Sequence, residues 1–279
     1  NLVIHAPNVH QGGGRVLLLA LLGALGPGTA RHVVLDARLR LDRDLPSDVE
    51  VERIAPTIAG RLMAEWRLWR RTRKGDTVLC FGNLPPLLPL PARVVVYIQN
   101  RYHVIRGGLG RFPMAVRVRL WFEHRWFDLG RRRVDAFIVH TPSMQRDVEQ
   151  QLGIQAKVMP FVNDTGSYTR RAMSARDRAG RKYDFVYVAS GEPHKNHTRL
   201  VEAWRILAGD GYRPTLCLTL NPGDAPKLCQ WIERQKLEYG LQIEITGATG
   251  EGDVAGLYRA AGALIYPSTF ESFGLRLIE

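Results

Sequence analysis

Short apolar runs alternate along the whole chain with longer segments in which apolar positions recur every three or four residues. The short runs are β-branched and almost continuously apolar, which is typical of parallel strands buried on both faces. The first half of the chain has six such candidate strands: Leu2–Ala6, His32–Asp36, Val49–Ile54, Thr77–Phe81, Val94–Ile98 and Asp135–His140. Helical patterns lie between them, at residues 15–25, 60–73, 114–129 and 142–152. This alternation predicts an open parallel sheet of Rossmann type.

A highly charged stretch with little apolar periodicity, residues 164–182, interrupts this pattern and is typical of an interdomain linker. The alternation then restarts, with helical patterns at 197–208, 225–238, 253–261 and from 274 onward, and candidate strands Tyr183–Ala189, Thr215–Leu220, Leu241–Thr246 and Ala263–Tyr266. We therefore expect an α/β chain of two doubly wound, Rossmann-like domains, residues 1–165 and 183–279, joined by a linker at 166–182. Because the chain stops inside a predicted helix, we expect the second domain to be incomplete.

The net charge of +12 is distributed unevenly. Residues 1–165 hold 24 Lys and Arg against 14 Asp and Glu, whereas residues 166–279 hold 15 against 13. A basic first half predicts an anionic partner, which could be nucleic acid, acidic lipid headgroups or a phosphorylated substrate. The three cysteines lack the spacing of zinc ligands, and the longest apolar run, residues 16–26, is shorter than the ~20 residues that span a bilayer.

Two basic segments of the first half also contain tryptophan. Arg61–Lys74 has six basic residues and one acidic residue, and Arg101–Arg133 has nine basic residues, two acidic residues and two tryptophans. Amphipathic helices rich in Arg and Trp suit an anionic membrane surface. The alternative is that these helices pack their apolar side on the sheet and leave the charges in water, because arginine stems readily cover apolar surface.

The last fourteen residues carry the strongest chemical signal. A strand ends at Tyr266, a loop contains Glu271, and a helix is predicted to begin near Gly274. The N–H groups and the dipole of such a helix start favour an anion such as a diphosphate, and Gly274 lets the backbone approach it closely. Glu271 and Glu279 are eight residues apart, about two helical turns, so both would lie on one side of the helix.

These residues, with the preceding stretch 247–261, resemble the signature of glycosyltransferase family 4, a group 1 family of retaining enzymes with the GT-B fold. The resemblance implies two Rossmann-like domains, with the acceptor on the N-terminal one and a nucleotide sugar on the C-terminal one. It also implies that Glu271 contacts the donor sugar and that Glu279 binds the ribose. The backbone amides of Phe273, Gly274 and Leu275 would hold the sugar and the diphosphate.

The loop after the first strand of the second domain contains a candidate phosphate ligand, Lys195. Lys195 lies just before a predicted helix, where a lysine is well placed for a phosphate. The resembled family has this lysine and also an arginine early in the loop, but Ser190 stands at that point here. One expected diphosphate contact is therefore unassigned.

Loops of the first domain supply further candidates. Gln11–Arg15 contains three consecutive glycines, and the resemblance implies that Gly13 and Gly14 reach the donor from a glycine-rich loop. Family members carry a histidine after the strand at 94–98, so His103 is a candidate catalytic group; the alternative is a solvated loop histidine. His140, at another strand end, is a second candidate.

The resemblance implies a retaining hexosyl transfer in which Lys195 and the helix start stabilise the leaving diphosphate. The expected donor is a GDP- or UDP-sugar, and no metal or other cofactor is expected. The expected acceptor is a polysaccharide or a lipid-linked saccharide at the inner face of the cell membrane. The alternatives are a GT-B enzyme that acts on soluble sugar phosphates or glycogen-type polymers, and a nucleic-acid binder, which would leave Glu271 and Lys195 unexplained.

Overall fold

The chain separates into two compact units. The computed structural model describes residues 1–41, 43–107, 114–160, 180–247 and 251–271, with the backbone alone for Glu251 and Gly252. Within these ranges the first unit contains residues 1–160 and the second contains residues 180–271. Most of the predicted linker lies outside the described residues, so its limits stay a prediction.

The first unit is built on a parallel sheet whose strands follow the order β3-β2-β1-β4-β5-β6-β7. These strands are β1 (Leu2–Ala6), β2 (Ala30–Asp36), β3 (Glu50–Ile54), β4 (Thr77–Cys80), β5 (Arg93–Ile98), β6 (Ala136–Val139) and β7 (Ala156–Val158). The chain starts in the middle of the sheet, proceeds to one edge and then returns to build the other half. The order of the strands therefore reverses between β1 and β4.

Among the described residues of this unit, four helices cover the sheet: α1 (Gly12–Gly23), α2 (Ile58–Arg71), α3 (Met114–Gly130) and α4 (Pro142–Leu152). Thr57 and Thr141 cap α2 and α4 by accepting a hydrogen bond from the backbone N–H three residues later. The apolar side chains of α1 pack in one core cluster, while α2, α3 and α4 contribute to another.

The second unit repeats this design on a smaller scale. Its described strands, β8 (Tyr183–Tyr187), β9 (Leu216–Leu218), β10 (Ile243–Ile245) and β11 (Ala261–Leu264), pair in parallel in the order β10-β9-β8-β11. Its described helices are α5 (His197–Gly209), α6 (Pro226–Tyr239) and α7 (Glu251–Ala260). The reversal of strand order falls between β8 and β11.

The predicted fold class, α/β with parallel sheets, is confirmed. Every candidate strand has a counterpart, and the predicted helix at 142–152 is observed with the same bounds. Two differences have simple causes. β7 was missed because it has three residues with Lys157 in the middle, and α1 begins at Gly12 instead of residue 15. The helix predicted from residue 274 lies outside the described residues.

Candidate donor site at the strand-order reversal

The loop after β8 carries Lys195 to the carboxyl end of the second sheet. A short 3-10 turn, Pro193–Lys195, precedes α5, and Asn196 joins the two in the left-handed region at φ 61°. Asparagine adopts this conformation more readily than most residues. The hydroxyl of Tyr187 donates to the carbonyl oxygen of Lys195 at 2.8 Å, which ties the turn to the end of β8.

The loop after β11 lies against this turn. The backbone N–H of Thr269 donates to the carbonyl oxygen of His194 at 2.9 Å, and the hydroxyl oxygen of Ser268 lies 3.1 Å from the same carbonyl oxygen. The side-chain amide of Asn196 donates to the carbonyl oxygen of Pro267 at 3.1 Å. The two loops, which are about seventy residues apart in the sequence, are thus joined by direct hydrogen bonds.

This pairing brings Lys195 and Glu271 together. The ammonium nitrogen of Lys195 lies 2.6 Å from Oε1 of Glu271, and the hydroxyl of Ser268 donates to the same oxygen at 2.6 Å. Both side chains of the ion pair are largely but not fully buried. They lie between β8 and β11, where the strand order reverses, and ligands of open α/β sheets bind beyond the carboxyl ends of strands at such a reversal.

The Glu271 carboxylate is ionised at neutral pH. Burial alone would raise the pKa of Glu271, but the hydrogen bonds from Lys195 and Ser268 and the positive charge of Lys195 outweigh it, so this pKa lies below its ordinary value. The site thus offers a cation suited to a phosphate oxygen and a carboxylate suited to sugar hydroxyls.

The other predicted members of this site have mixed outcomes. Phe273, Gly274, Leu275 and Glu279 lie outside the described residues, and their roles stay predictions. Ser190, at the point where an arginine was expected, donates its hydroxyl to the carboxylate of Glu192. Nothing in the sequence singles out Ser268, Asn196 or Tyr187, because their importance depends on hydrogen bonds between distant loops.

The predicted glycine-rich loop of the first unit is instead the first turn of α1. Gly12 begins the helix with φ +64°, and Gly13 and Gly14 follow within it. A Cβ atom at Gly14 would lie 3.2 Å from Oε1 of Gln99, whereas one at Gly13 would meet nothing within 4 Å. The helix predicted from residue 15 therefore begins three residues earlier and includes these glycines, while the contact of Gly13 and Gly14 with a donor stays a prediction.

His103 is a buried side chain, not a solvated loop histidine. Its Nε2 atom lies 3.8 Å from Oε2 of Glu123, which α3 provides. Burial, together with the nearby His124 and Arg119, lowers the pKa of His103 to about 3, so its imidazole is neutral near pH 7. The sequence could not reveal this environment because α3 follows His103 by more than ten residues. The catalytic role of His103 stays a prediction.

His140 is buried as well. Its Nδ1 atom lies 2.9 Å from the hydroxyl oxygen of Tyr97, and burial lowers the pKa of His140 to about 4. Both histidine candidates of the first unit are therefore neutral groups inside the fold at neutral pH.

Among the described residues, no group of three or more His, Cys, Asp or Glu side chains is arranged to hold a metal ion. Within the same residues, no helix has the length and apolar character that crossing a membrane requires.

Comparisons with known proteins connect this geometry to an enzyme family. Residues 170–279 match the family model described as glycosyl transferases group 1. A comparison with curated proteins found no matching relative. Among solved structures, the chain is similar to Anabaena Alr3699/HepE in complex with UDP and glucose, at 16% identity and a TM-score of 0.66, over 99% of this chain and 77% of that one.

Two further structures show the same similarity of fold. WaaG, a glycosyltransferase involved in lipopolysaccharide biosynthesis, has 14% identity and a TM-score of 0.60, over 100% of this chain and 78% of that one. The G117R mutant of S. aureus TarM, in complex with fondaparinux, alpha-GlcNAc-glycerol and UDP, has 15% identity and a TM-score of 0.55, over 77% of this chain and 41% of that one. The chain carries a glycosyl transferases group 1 domain at residues 170–279, is a glycosyltransferase, and has the fold of GT-B enzymes.

Proposed function

We propose that this protein transfers a hexose from a nucleoside-diphosphate sugar to a polysaccharide or lipid-linked acceptor, with retention of anomeric configuration and without a metal ion. One observation carries the proposal: Lys195 and Glu271 meet, 2.6 Å apart, where the strand order of the second sheet reverses. Cleavage of the bond between the anomeric carbon and the phosphate needs a positive charge for the leaving diphosphate. Lys195 supplies such a charge without a metal.

Glu271 has a different role in this proposal. Its carboxylate accepts hydroxyl groups of the donor sugar and so positions the anomeric carbon, while the departing phosphate takes the proton of the acceptor. The proposal does not make Glu271 a nucleophile, because the carboxylate is already held by Lys195 and Ser268. Retention predicts a product with the anomeric configuration of the donor, which proton NMR of the product determines directly.

UDP is the preferred nucleotide in this proposal. The structures of HepE and TarM to which the chain is similar each contain UDP. A lipid-linked or saccharide acceptor at the inner face of the cell membrane is consistent with the basic character of residues 1–165. Turnover on a free sugar phosphate in solution would instead support an enzyme that acts on soluble substrates.

The test measures nucleotide binding with a matched pair of variants. Lys195→Met removes the proposed phosphate ligand, and Lys182→Met removes a lysine that pairs with Glu244 at 2.9 Å just before the start of β8. We expect UDP to bind Lys182→Met as it binds the wild type, and Lys195→Met about 10- to 150-fold more weakly, because a charge-assisted hydrogen bond contributes about 1.5–3 kcal/mol.

Isothermal titration calorimetry in EDTA gives these affinities and tests the independence from metal at the same time. Equal affinities of the two variants for UDP would contradict the proposed site. UDP binding or sugar transfer that requires an added divalent cation would contradict the metal-free mechanism.

A further inference from the structure

Three loops of the first unit carry an asparagine just after the carboxyl end of a strand. Asn8 follows β1, Asn83 follows β4 and Asn100 follows β5. In the sheet, β4 pairs with β1 on one side and with β5 on the other. Because the strand order reverses between β1 and β4, these loops lie where open α/β sheets bind ligands. We call the three residues the asparagine cluster.

Asn83 fastens two of these loops together. Its Oδ1 atom accepts hydrogen bonds from the backbone N–H groups of Gln99 and Asn100, at 2.6 and 2.8 Å. Since both partners are donors, the bonded atom must be the oxygen, and the Nδ2 group is left as a donor. The backbone of Asn83 lies in the left-handed region at φ 70°, which asparagine adopts more readily than most residues. One half of this amide therefore holds the loops, and the other half is a donor whose direction is fixed.

Asn100 divides its amide in the same way. Its Oδ1 atom accepts a hydrogen bond from the backbone N–H of Tyr102 at 2.9 Å and so caps the 3-10 turn Arg101–His103. Its Nδ2 group is again left as a donor. In the described part of the chain neither this Nδ2 group nor that of Asn83 has a hydrogen-bond partner, and both residues are only half-buried.

Asn8 has the opposite polarity. Its Nδ2 group donates to the carbonyl oxygen of Gly82 at 3.0 Å, so its Oδ1 atom is left as an acceptor. The two residues pack so closely that a Cβ atom at Gly82 would overlap Oδ1 of Asn8, which fixes the orientation of the amide. The asparagine cluster thus presents donors and an acceptor that are neutral and that neighbouring loops hold in place.

We propose that the asparagine cluster binds the hydroxyl groups of a neutral saccharide. A sugar hydroxyl both donates and accepts hydrogen bonds, so it matches a set of amide donors and acceptors. Side chains that are already held in one orientation lose little conformational entropy when a ligand binds. The inference rests on the proposed function and deepens it, because it gives the first unit a site for a sugar of the transfer, either the acceptor or the hexose of the donor.

Other ligand classes fit these loops less well. An anion needs a positive charge, but the asparagine cluster is neutral and the neighbouring Arg101 is paired with the carboxylate of Asp147. An apolar ligand would cover the Nδ2 groups of Asn83 and Asn100 without giving them a hydrogen-bond partner. A purely structural role would need only the Oδ1 atoms of these two residues, and aspartate would supply those equally well.

Asn83→Asp and Asn100→Asp therefore separate the two halves of each amide. Aspartate keeps the oxygen that accepts the backbone N–H groups and removes the Nδ2 donor. Gln242→Glu makes the same change from amide to carboxylate on an exposed residue of the second unit and serves as the control. Side-chain amide signals of the isotope-labelled protein are followed by NMR during titration with glucose, galactose, mannose and N-acetylglucosamine.

At least one of these sugars should shift the signals of Asn83 and Asn100, which are assigned by their absence from the spectra of the variants. That sugar should bind each asparagine variant roughly fivefold or more weakly than it binds the wild type and the control. Slow hydrolysis of UDP-glucose, measured without an acceptor, identifies which sugar the site holds. A lower kcat/KM of the asparagine variants assigns the site to the hexose of the donor, and unchanged hydrolysis assigns it to the acceptor.

Thermal unfolding checks that the variants are folded. UDP affinity should be unchanged in both asparagine variants, so loss of the sugar site is distinguishable from failure of the proposed donor site at Lys195. The proposal is overturned if none of the sugars shifts the signals of Asn83 and Asn100, or if the variants bind the sugar as the wild type does. It is also overturned if inorganic phosphate shifts these signals and the sugars do not.

Discussion

Replacing Glu271 by glutamine should separate nucleotide affinity from turnover. Glu271 accepts a hydrogen bond from Lys195 at 2.6 Å, so its carboxylate would compete with a phosphate for the same cation. Glutamine keeps the size of the side chain and its ability to accept from Ser268, but it removes the negative charge.

The magnitude follows from the environment of the pair. At an effective dielectric constant of ~20, opposite charges 2.6 Å apart attract by roughly 6 kcal/mol. Desolvation, the ordering of both side chains and screening by solvent reduce the net contribution of such a partly exposed pair to about 1 kcal/mol. Release of Lys195 from this competition should therefore tighten UDP binding about fivefold in Glu271→Gln.

Turnover should change in the opposite direction. If the Glu271 carboxylate accepts a hydroxyl group of the donor sugar, its loss removes a hydrogen bond to a charged acceptor, which is worth about 1.5–3 kcal/mol. The expected kcat/KM for sugar transfer, or for slow donor hydrolysis, is about 10- to 150-fold below that of the wild type. Calorimetry with UDP and a coupled assay of UDP release measure the two quantities on the same preparation.

Glu244→Gln is the matched control, since Glu244 accepts a hydrogen bond from Lys182 at 2.9 Å outside the candidate site. It should leave both UDP affinity and turnover unchanged. The reasoning is refuted if Glu271→Gln weakens UDP binding and turnover by the same factor, because Glu271 would then act through the shape of the loop and not through competition for Lys195.

Three further predictions test neighbouring parts of the structure. The pKa of Glu271 is lowered in the folded protein, so the stability that this carboxylate contributes is fully present above its ordinary pKa of about 4.5. In thermal unfolding, the advantage of the wild type over Glu271→Gln should therefore shrink progressively as the pH falls below 4.5, and an advantage that does not shrink would contradict this reasoning. In Gly191→Ala the added Cβ atom would lie 2.4 Å from the Cβ atom of Ala225, so the loop must shift. The substitution should lower UDP affinity several-fold and cost about 1–3 kcal/mol of unfolding free energy in urea titrations. Unchanged affinity and stability would show that the loop accommodates the methyl group without cost. Glu65→Gln should cost about 3 kcal/mol in the same titrations, since the buried Glu65 carboxylate lies 3.3 Å from the largely buried Arg61 and its loss leaves that cation without this negative partner. A loss under about 1 kcal/mol would contradict this view of the pair.

The meeting of Lys195 and Glu271 could be anticipated from the sequence, because it follows from topology. Each residue comes shortly after a buried parallel strand, and the carboxyl ends of such strands meet at one edge of the sheet. The sequence did not say that these two strands, β8 and β11, would be direct neighbours. Because the two strands are adjacent, the ammonium nitrogen of Lys195 lies 2.6 Å from a carboxylate oxygen of Glu271, and the two residues do not merely share one edge of the sheet.

The surroundings of His103 could not be anticipated, because they depend on tertiary packing. The residues after the strand at 93–98 read as an ordinary polar loop, yet His103 is covered by α3 and lies beside Glu123. The start of α1 is a related case: three glycines favour a loop by propensity, but the helix begins at the first of them. Tertiary contacts decided both cases against the local preference of the chain.

The hydrogen-bonded loops after β8 and β11 hold Lys195 in place, because a freely moving cation would be poorly positioned for a phosphate. A site with such fixed geometry differs from a general attraction of exposed charges, which salt screens over a distance near the Debye length. Added salt should therefore leave most UDP binding intact, and a steep loss of affinity with salt would mean that the nucleotide is held by general charge and not by a built site.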